Sequence, residues 1–312
     1  MQEWNPKIDV IIPIYKPDKK YDRLLQALKK QSLMPNHIYI IHTMAEGKEE
    51  KKENSRYAGM NNLSIINIRK EEFNHGGTRN KGVRMSDAEF VLMMTQDAVP
   101  ADTHLLEELV RPFAEEQVAA TYARQLATKE VGVIEQYTRT FNYPEQEQKK
   151  TKEDLKRLGI KTYFCSDVCA MYRKSVYEKM GGFVTKTIFN EDMIMASKMI
   201  QAGYAIVYAA KAKVYHAHKY TGLQQFQRNF DLGVSHREFS EIFDQVTSES
   251  EGIKMVKQTA RYLWKQKKPF QIISLVWQSG CKFLGYRFGK KYDKLPMWFV
   301  KCCSSQKSYW NT

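Results

Sequence analysis

Hydrophobic positions in the first third of the chain fall into short blocks with two different spacings. Asp9 to Pro13 is an apolar run of buried-strand type, closed by a loop over Ile14 to Lys19. Leu24, Leu25 and Leu28 recur at helical spacing and predict a helix over Tyr21 to Gln31. Ile38 to His42, Leu63 to Ile68 and Phe90 to Met94 read as further strands, with short helices over Thr78 to Met85 and Thr103 to Phe113. Strands alternating with helices of this length predict a mostly parallel sheet with helices on both faces. Such sheets bind ligands outside the carboxyl ends of their strands, so chemistry is expected in the loops after Pro13, His42, Ile68 and Thr95.

The middle of the chain is mixed. Glu145 to Arg157 is highly charged and reads as an exposed loop or helix. Met171 to Gly181 reads as a strand end and a helix stopped at Gly181 and Gly182. Glu191 to Ala202 reads as a helix with Asn190 as N-cap and Gly203 at its end. Ile206 to Tyr208 and Ala212 to Tyr215 read as two short strands, and the acidic cluster Ser248 to Gly252 as a boundary.

Four stretches carry candidate chemistry. In Phe73 to Asn80, Gly76 and Gly77 permit either close approach to a ligand or a tight turn before a helix, and Arg79 adds a phosphate-pairing charge. Asp97 directly follows a buried strand, where a carboxylate either holds a divalent cation on a diphosphate or caps the loop. Asp192 shares a helical face with Met195, Met199 and Ala202. That face turns inward, so Asp192 is either a partly buried general base or, with Glu191, a partner of the helix dipole. His216 and His218 alternate onto one side of a strand, as structural residues or as metal ligands.

The order of these stretches is more specific than any one of them. It resembles the inverting nucleotide-sugar transferases of glycosyltransferase family 2, and within them the bacterial rhamnosyltransferases of wall polysaccharide synthesis. Tyr122 to Gln125 and Phe141 to Pro144 add to the likeness, which extends over Ile8 to Phe243. The resemblance implies a GT-A fold, with a Rossmann-like nucleotide half at 1–125 and an acceptor half at 126–252. It implies Pro13, Tyr15, His42, Arg79, Gln96 and Asp97 on the nucleotide-sugar and Asp192 as catalytic base. Asp97 with His216 (His218 as the alternative) would hold Mg or Mn, and Arg124, Glu191 and Arg228 would meet the acceptor. Two departures stand out: Thr95 replaces the first Asp of the family's Asp-x-Asp motif, and His42 replaces the Asp after the second strand. Gln225 and Arg228 lack the following Trp of processive synthases, because Asn229 stands there. The implied reaction is transfer of L-rhamnose from dTDP-L-rhamnose to a lipid-linked saccharide. Other family donors, such as UDP-GlcNAc, UDP-galactose or UDP-glucose, are the alternative.

Composition sharpens the picture in three ways. A chain of 312 residues, 43% hydrophobic and 27% charged, has the profile of a globular protein with a sizeable core. Five cysteines, with no apolar N-terminal segment and no apolar run of 18 residues, predict reduced thiols in the cytoplasm and no membrane span. Cys165 and Cys169 have the look of half a zinc site without a second half. The net charge of +14 is concentrated, with 13 Lys or Arg against one acid, Asp293, in residues 253–312. The near-neutral body argues against nucleic acid as partner, although a nucleic-acid binder acting through the basic tail is the minor alternative. In the tail, Ile253, Val256, Ala260, Leu263 and Trp264 form one helical face beside Lys254, Lys257, Arg261 and Lys265. This basic amphipathic helical tail suits an anionic membrane surface, placing the protein on the inner face of the plasma membrane, or else packs on the catalytic domain.

Overall fold

The computed structural model describes residues 4–44, 57, 60–128, 130–244 and 249–311. Its strands are β1 (Ile8–Ile14), β2 (His37–Thr43), β3 (Leu63–Ile68), β4 (Phe90–Met94), β5 (Val99–Pro100), β6 (Val118–Leu126), β7 (Gln148–Lys150), β8 (Cys169–Arg173) and β9 (Ala205–Tyr215). Helices α1 (Lys19–Leu28), α2 (His75–Met85), α3 (Leu105–Val110), α4 (Val133–Asn142), α5 (Leu155–Leu158), α6 (Lys174–Lys179) and α7 (Glu191–Gln201) belong to the same body. They are followed by α8 (Gly222–Glu238), α9 (Ser240–Phe243), α10 (Glu249–Lys265), α11 (Gln271–Gly289) and α12 (Met297–Cys303).

The strands form one sheet in the order β3-β2-β1-β4-β8-β6-β9-β5, with β7 paired to β9. β3, β2, β1 and β4 are parallel neighbours, and β8 enters antiparallel between β4 and β6. Apolar strand residues face helices on both sides, in two clusters. One joins Val10, Ile12 and Leu92 to the leucines of α1 and α3. The other joins Ile11, Val91 and Met93 to Val83 of α2 and to Met195 and Met199 of α7. This is the α/β arrangement that the alternating pattern predicts.

Several local expectations are corrected. The two short strands over Ile206 to Tyr215 are one strand, β9, whose pairing with β6 slips from Ala123↔Ala209 to Arg124↔Lys213. Exposed Lys211 sits in that irregularity, which is why the pattern reads as a break. The charged segment Glu145 to Arg157 contains β7, and Lys150 is fully buried. Its ammonium bonds to the hydroxyl of Tyr122 and to the carbonyls of Lys161 and Phe164, and burial pushes it down to about 7. α3 gives way at Arg111 to a 3-10 turn because Pro112 has no N–H to donate. Asn190 is the N-cap residue of α7 as expected, but it sits in the left-handed region (φ 67°) and its side chain donates to Ser235 Oγ instead of accepting a helix N–H. Ala202 is exposed, so only Met195 and Met199 continue the inward face of Asp192.

The basic tail is built into the body. α11 lies along α8 so closely that a methyl group at Gly289 would come within 2.0 Å of the Phe230 carbonyl oxygen, and one at Gly285 within 2.2 Å of that of Phe226. Phe230 and Val234 share a core with Val300 and Cys303 of α12. Buried Asp231 accepts hydrogen bonds from the hydroxyls of Ser304 and Ser305. The expected boundary at Ser248 to Gly252 falls partly outside the described residues, at Ser248, and α10 runs on through Gly252 without interruption.

Candidate active site

The sheet itself assembles the site. β1 lies between β2 and β4, so the chain turns to opposite sides from it and opens a crevice at the strands' carboxyl ends. Ile14 and His42 pair at that edge. Gln96, after β4, reaches across to the loop after β1: its Oε1 accepts from Tyr15 N–H at 2.8 Å, and its Nε2 donates to the Tyr15 carbonyl at 3.1 Å. This pair of hydrogen bonds holds the two loops together and leaves Tyr15 39% exposed at the crevice. Pro13, Tyr15, His42, Gln96 and Asp97 therefore share one rim.

Two further pairings complete the rim. β5 runs back along Val214 and Tyr215, which carries Asp97 beside the residues that follow β9. His216 Nε2 lies 3.6 Å from Asp97 Oδ1, His218 Nε2 lies 3.2 Å from Asp97 Oδ2, and the two imidazole Nε2 atoms are 3.0 Å apart. Among the described residues these three form a group whose donor atoms all lie within 4.8 Å of one another. Gln125 Oε1 accepts from His216 Nδ1 at 3.0 Å, which leaves the His216 Nε2 lone pair pointing at Asp97. Arg139 in turn donates to the same Gln125 oxygen. Burial lowers the pKa of both histidines, and Asp97 only partly opposes it. Neutral imidazoles beside a carboxylate are the protonation states a divalent cation requires. Both histidines, rather than one of the two, are positioned to hold it.

The second charged cluster lies at the start of α2 and α7. Arg79 is buried; its Nη1 is 3.1 Å from Glu191 Oε1 and its Nε is 3.4 Å from Asp167 Oδ2. Burial opposes the guanidinium charge, but Glu191, Asp167 and Asp192 outweigh it and raise the pKa above the ordinary value. Asp192 is half-buried, and its Oδ2 accepts the Asp167 backbone N–H at 3.2 Å. Burial first, then Asp167 and Glu191, push the Asp192 carboxyl well above the usual carboxylate range. Asp167 is raised as well, mainly by burial, against the pull of Arg79. Asp167 and Asp192, buried beside one guanidinium, thus favour retaining a proton. Glu191, expected beside the acceptor, has its carboxylate on Arg79. The glycines of this motif serve the protein's own packing: a methyl at Gly76 would lie 2.0 Å from the Val184 carbonyl oxygen, and Gly77 N–H is capped by Asn74 Oδ1 at 2.5 Å.

Asp167 is the functional candidate that sequence reasoning missed. Ser166, Asp167 and Val168 link every part of the site. Ser166 Oγ accepts from Gln125 Nε2, Asp167 N–H donates to Asp192, and the Val168 carbonyl accepts Thr95 N–H. The available signal was only a carboxylate two residues before a short apolar strand; that β8 runs antiparallel to β4 is what returns Asp167 to the ligand-binding edge. Its neighbours are Cys165 and Cys169, which the sequence reads as half a zinc site. Both are buried free thiols whose pKa burial raises. Of the remaining acceptor candidates, Arg124 pairs with Glu145 Oε1 at 3.1 Å and lines a cavity of about 280 Å³ with Gln125 and Arg139. Arg228 stacks over Tyr220 and Phe189, and Tyr220 stacks on His218.

A family model described as "Glycosyl transferase family 2" matches residues 9–181. The chain is 39% identical to the O-antigen chain rhamnosyltransferase RfbN of Salmonella typhimurium, over 98% of this chain and 96% of that protein. It is 38% identical, with the same coverage of both chains, to the O-antigen chain rhamnosyltransferase WbaN of Salmonella anatum. The fold is similar to that of mannosyltransferase PcManGT from Pyrobaculum calidifontis in complex with GDP-Man and Mn2+, with a TM-score of 0.59 at 13% identity, covering 98% of this chain and 88% of that one. It is also similar to S. aureus TarS 1–349, with a TM-score of 0.53 at 17% identity, covering 92% and 91%.

Proposed function

The chain belongs to glycosyltransferase family 2 and has a GT-A-like fold, and from that premise we propose that it is an inverting rhamnosyltransferase. It takes L-rhamnose from dTDP-L-rhamnose and adds it to a lipid-linked saccharide in surface polysaccharide synthesis at the cytoplasmic side of the membrane. The names of the two Salmonella relatives support the sugar. The observation that carries the chemistry is Asp192: a half-buried carboxylate, raised in pKa and oriented by the Asp167 N–H, on the ligand edge of the sheet.

In this reading the ionised Asp192 takes the proton of the acceptor hydroxyl as that oxygen bonds to the anomeric carbon. The bond from the anomeric carbon to the donor phosphate oxygen breaks, its electrons leave with the diphosphate, and one displacement inverts the centre. Arg79, paired with Glu191 and Asp167, holds Glu191 beside Asp192 at the start of α7 and does not itself meet the diphosphate. Asp97, His216 and His218 would hold a divalent cation, which when bound neutralises charge on the departing diphosphate. Two imidazoles with one carboxylate suit Mn better than Mg, which prefers oxygen ligands throughout. Gln96 keeps Tyr15 over the crevice, where a nucleobase would stack.

The test is a mass-spectrometric transfer assay with dTDP-rhamnose, UDP-sugars and GDP-mannose against short lipid-linked acceptors. Rhamnosyl transfer with inversion is expected. Turnover of a UDP- or GDP-sugar with none of dTDP-rhamnose would overturn the donor assignment while leaving the family intact.

A further inference from the structure

α11 turns most of its large apolar side chains away from the body. Its protein-facing side carries Gly285 and Gly289 packed against α8, buried Leu275, and Tyr286 bonded to His236, while Gln271, Gln278 and Lys282 are partly covered. Its outward side is apolar. Ile273 is 71% exposed, Trp277 67%, Val276 61%, Phe283 59% and Leu284 51%. At 100° per residue these positions fall on one continuous face, interrupted by a single charge, Arg287. Phe270, 85% exposed, begins the face, and Phe299 against Phe288 brings exposed Trp298 to its far end. The apolar face expected on α10 is by contrast largely turned inward: Leu263 is buried, Val256 and Ala260 are half-buried, and only Ile253 and Trp264 are exposed.

We propose that the outer face of α11 lies in the headgroup region of an anionic bilayer, so that the lipid-linked acceptor reaches the site from the bilayer along this helix. Soluble proteins seldom expose contiguous apolar surface of this kind without a partner. The flanking charge identifies that partner. Lys254, Lys257, Arg261, Lys265, Lys267 and Lys268 are exposed on α10 and the turn before α11, and Lys291 and Lys294 follow it. A second copy of the chain would bring the same bases against these, whereas anionic headgroups neutralise them. No helix among the described residues is long and apolar enough to cross a membrane, so the contact is with the surface layer. The inner side of the same helix completes the route. Gln271, Ser274 and Gln278 line a cavity of about 430 Å³ whose opposite wall includes His218, Tyr220 and Gln225. One helix thus has an apolar face for the bilayer and a polar face leading toward the Asp97 cluster. The membrane contact is independent of donor identity.

The test uses the full chain and co-sedimentation with two kinds of vesicle, phosphatidylcholine alone and phosphatidylcholine with about one third phosphatidylglycerol. Binding to the anionic vesicles should be at least about tenfold stronger and should weaken with salt. The combined variant Ile273→Gln, Val276→Gln, Phe283→Gln and Leu284→Gln should lose vesicle binding, yet keep its helical circular dichroism and its transfer to a soluble acceptor. Charge reversal at Lys265→Glu, Lys267→Glu and Lys268→Glu, which touches no packed side chain of α11, should weaken binding to anionic vesicles and leave fold and soluble-acceptor activity unchanged. Should the apolar variant fail to fold, the charge variant decides. The proposal is overturned if the full chain stays in solution with anionic vesicles, or if neither variant changes its sedimentation. It is overturned equally if the lipid-free protein is a dimer that the apolar variant dissociates, which would assign the face to a second copy.

Discussion

The two charged clusters of the active site use similar side chains toward opposite ends. Around Arg79, the carboxyls of Asp167, Glu191 and Asp192 exceed the available positive charge, and burial makes protonation of Asp167 and Asp192 favourable. Around Asp97, two imidazoles are kept unprotonated by burial, and their Nε2 atoms converge with the carboxylate. One cluster favours holding a proton, and the other, with neutral imidazoles beside a carboxylate, has the donor set that could hold a cation. A transferase that must collect a proton from its acceptor and release a diphosphate from its donor needs both. The Ser166 to Val168 segment, bonded to both clusters, sets them side by side.

The comparison breaks most sharply at Asp192. Asp192→Asn preserves shape and removes the proton acceptor, so transfer should fall by about a hundred- to ten-thousand-fold. Binding of dTDP with Mn, measured by calorimetry, should change little. Transfer above a tenth of the wild-type rate would remove Asp192 from the role of base. At the other cluster, His216→Ala should weaken the Mn-dependent part of dTDP binding by at least about tenfold, and Gln125→Ala, which loosens the His216 ring, by about tenfold. Equal affinity with and without metal in the wild-type protein would dissolve the cation reading of Asp97, His216 and His218.

The legibility of these clusters differed for physical reasons. Asp97 and Asp192 follow or begin strongly patterned elements, so their place at the ligand edge follows from topology. The parallel strands β1 to β4 were equally legible, because each is rich in β-branched or other apolar residues and bounded by turn residues. Asp167 was not, because its importance depends on β8 entering antiparallel beside β4, a pairing without local signature. Gln125 was visible within a recurring motif, but its hold on His216 depends on the β6–β9 register shift at Arg124. The tail was half legible. Its charge and aromatics are plain in composition, whereas which face turns outward is decided by the close approach at Gly285 and Gly289.

Asp167→Asn sharpens the comparison further. The substitution keeps the backbone N–H to Asp192 and removes one charge. The Asp167 carboxylate raises the Asp192 pKa by repulsion and partly neutralises Arg79, so its loss acts downward on Asp192 twice. The acid limb of the kcat/KM profile should therefore move to lower pH, with a loss in plateau rate of no more than about tenfold, since a less basic carboxylate takes the proton less readily. An unmoved limb would mean that Asp167 acts only through its backbone.

The smallest effect concerns stability, and here the two clusters should pull in opposite directions. Asp192 has a folded-state pKa raised above its unfolded value. Its contribution to stability is therefore fully present below the ordinary carboxylate range and is lost as pH rises through the raised folded value, where the buried cluster must accept another negative charge. Asp192→Asn removes that loss, so the variant should gain Tm relative to wild type, by roughly a few degrees, and more at pH values above neutrality than at mildly acidic ones. His216 has a folded-state pKa lowered by burial. Its contribution is present above the ordinary histidine range and is lost as pH falls toward the depressed folded value, because the unfolded chain takes a proton that the folded site refuses. His216→Ala should accordingly flatten the acid side of the stability profile, where Asp192→Asn flattens the alkaline side. Thermal melts of the three proteins across mildly acidic to mildly alkaline pH, with a chelator present to keep metal linkage out of the comparison, read both effects at once. Parallel profiles for the two variants would show that the clusters do not differ in proton demand.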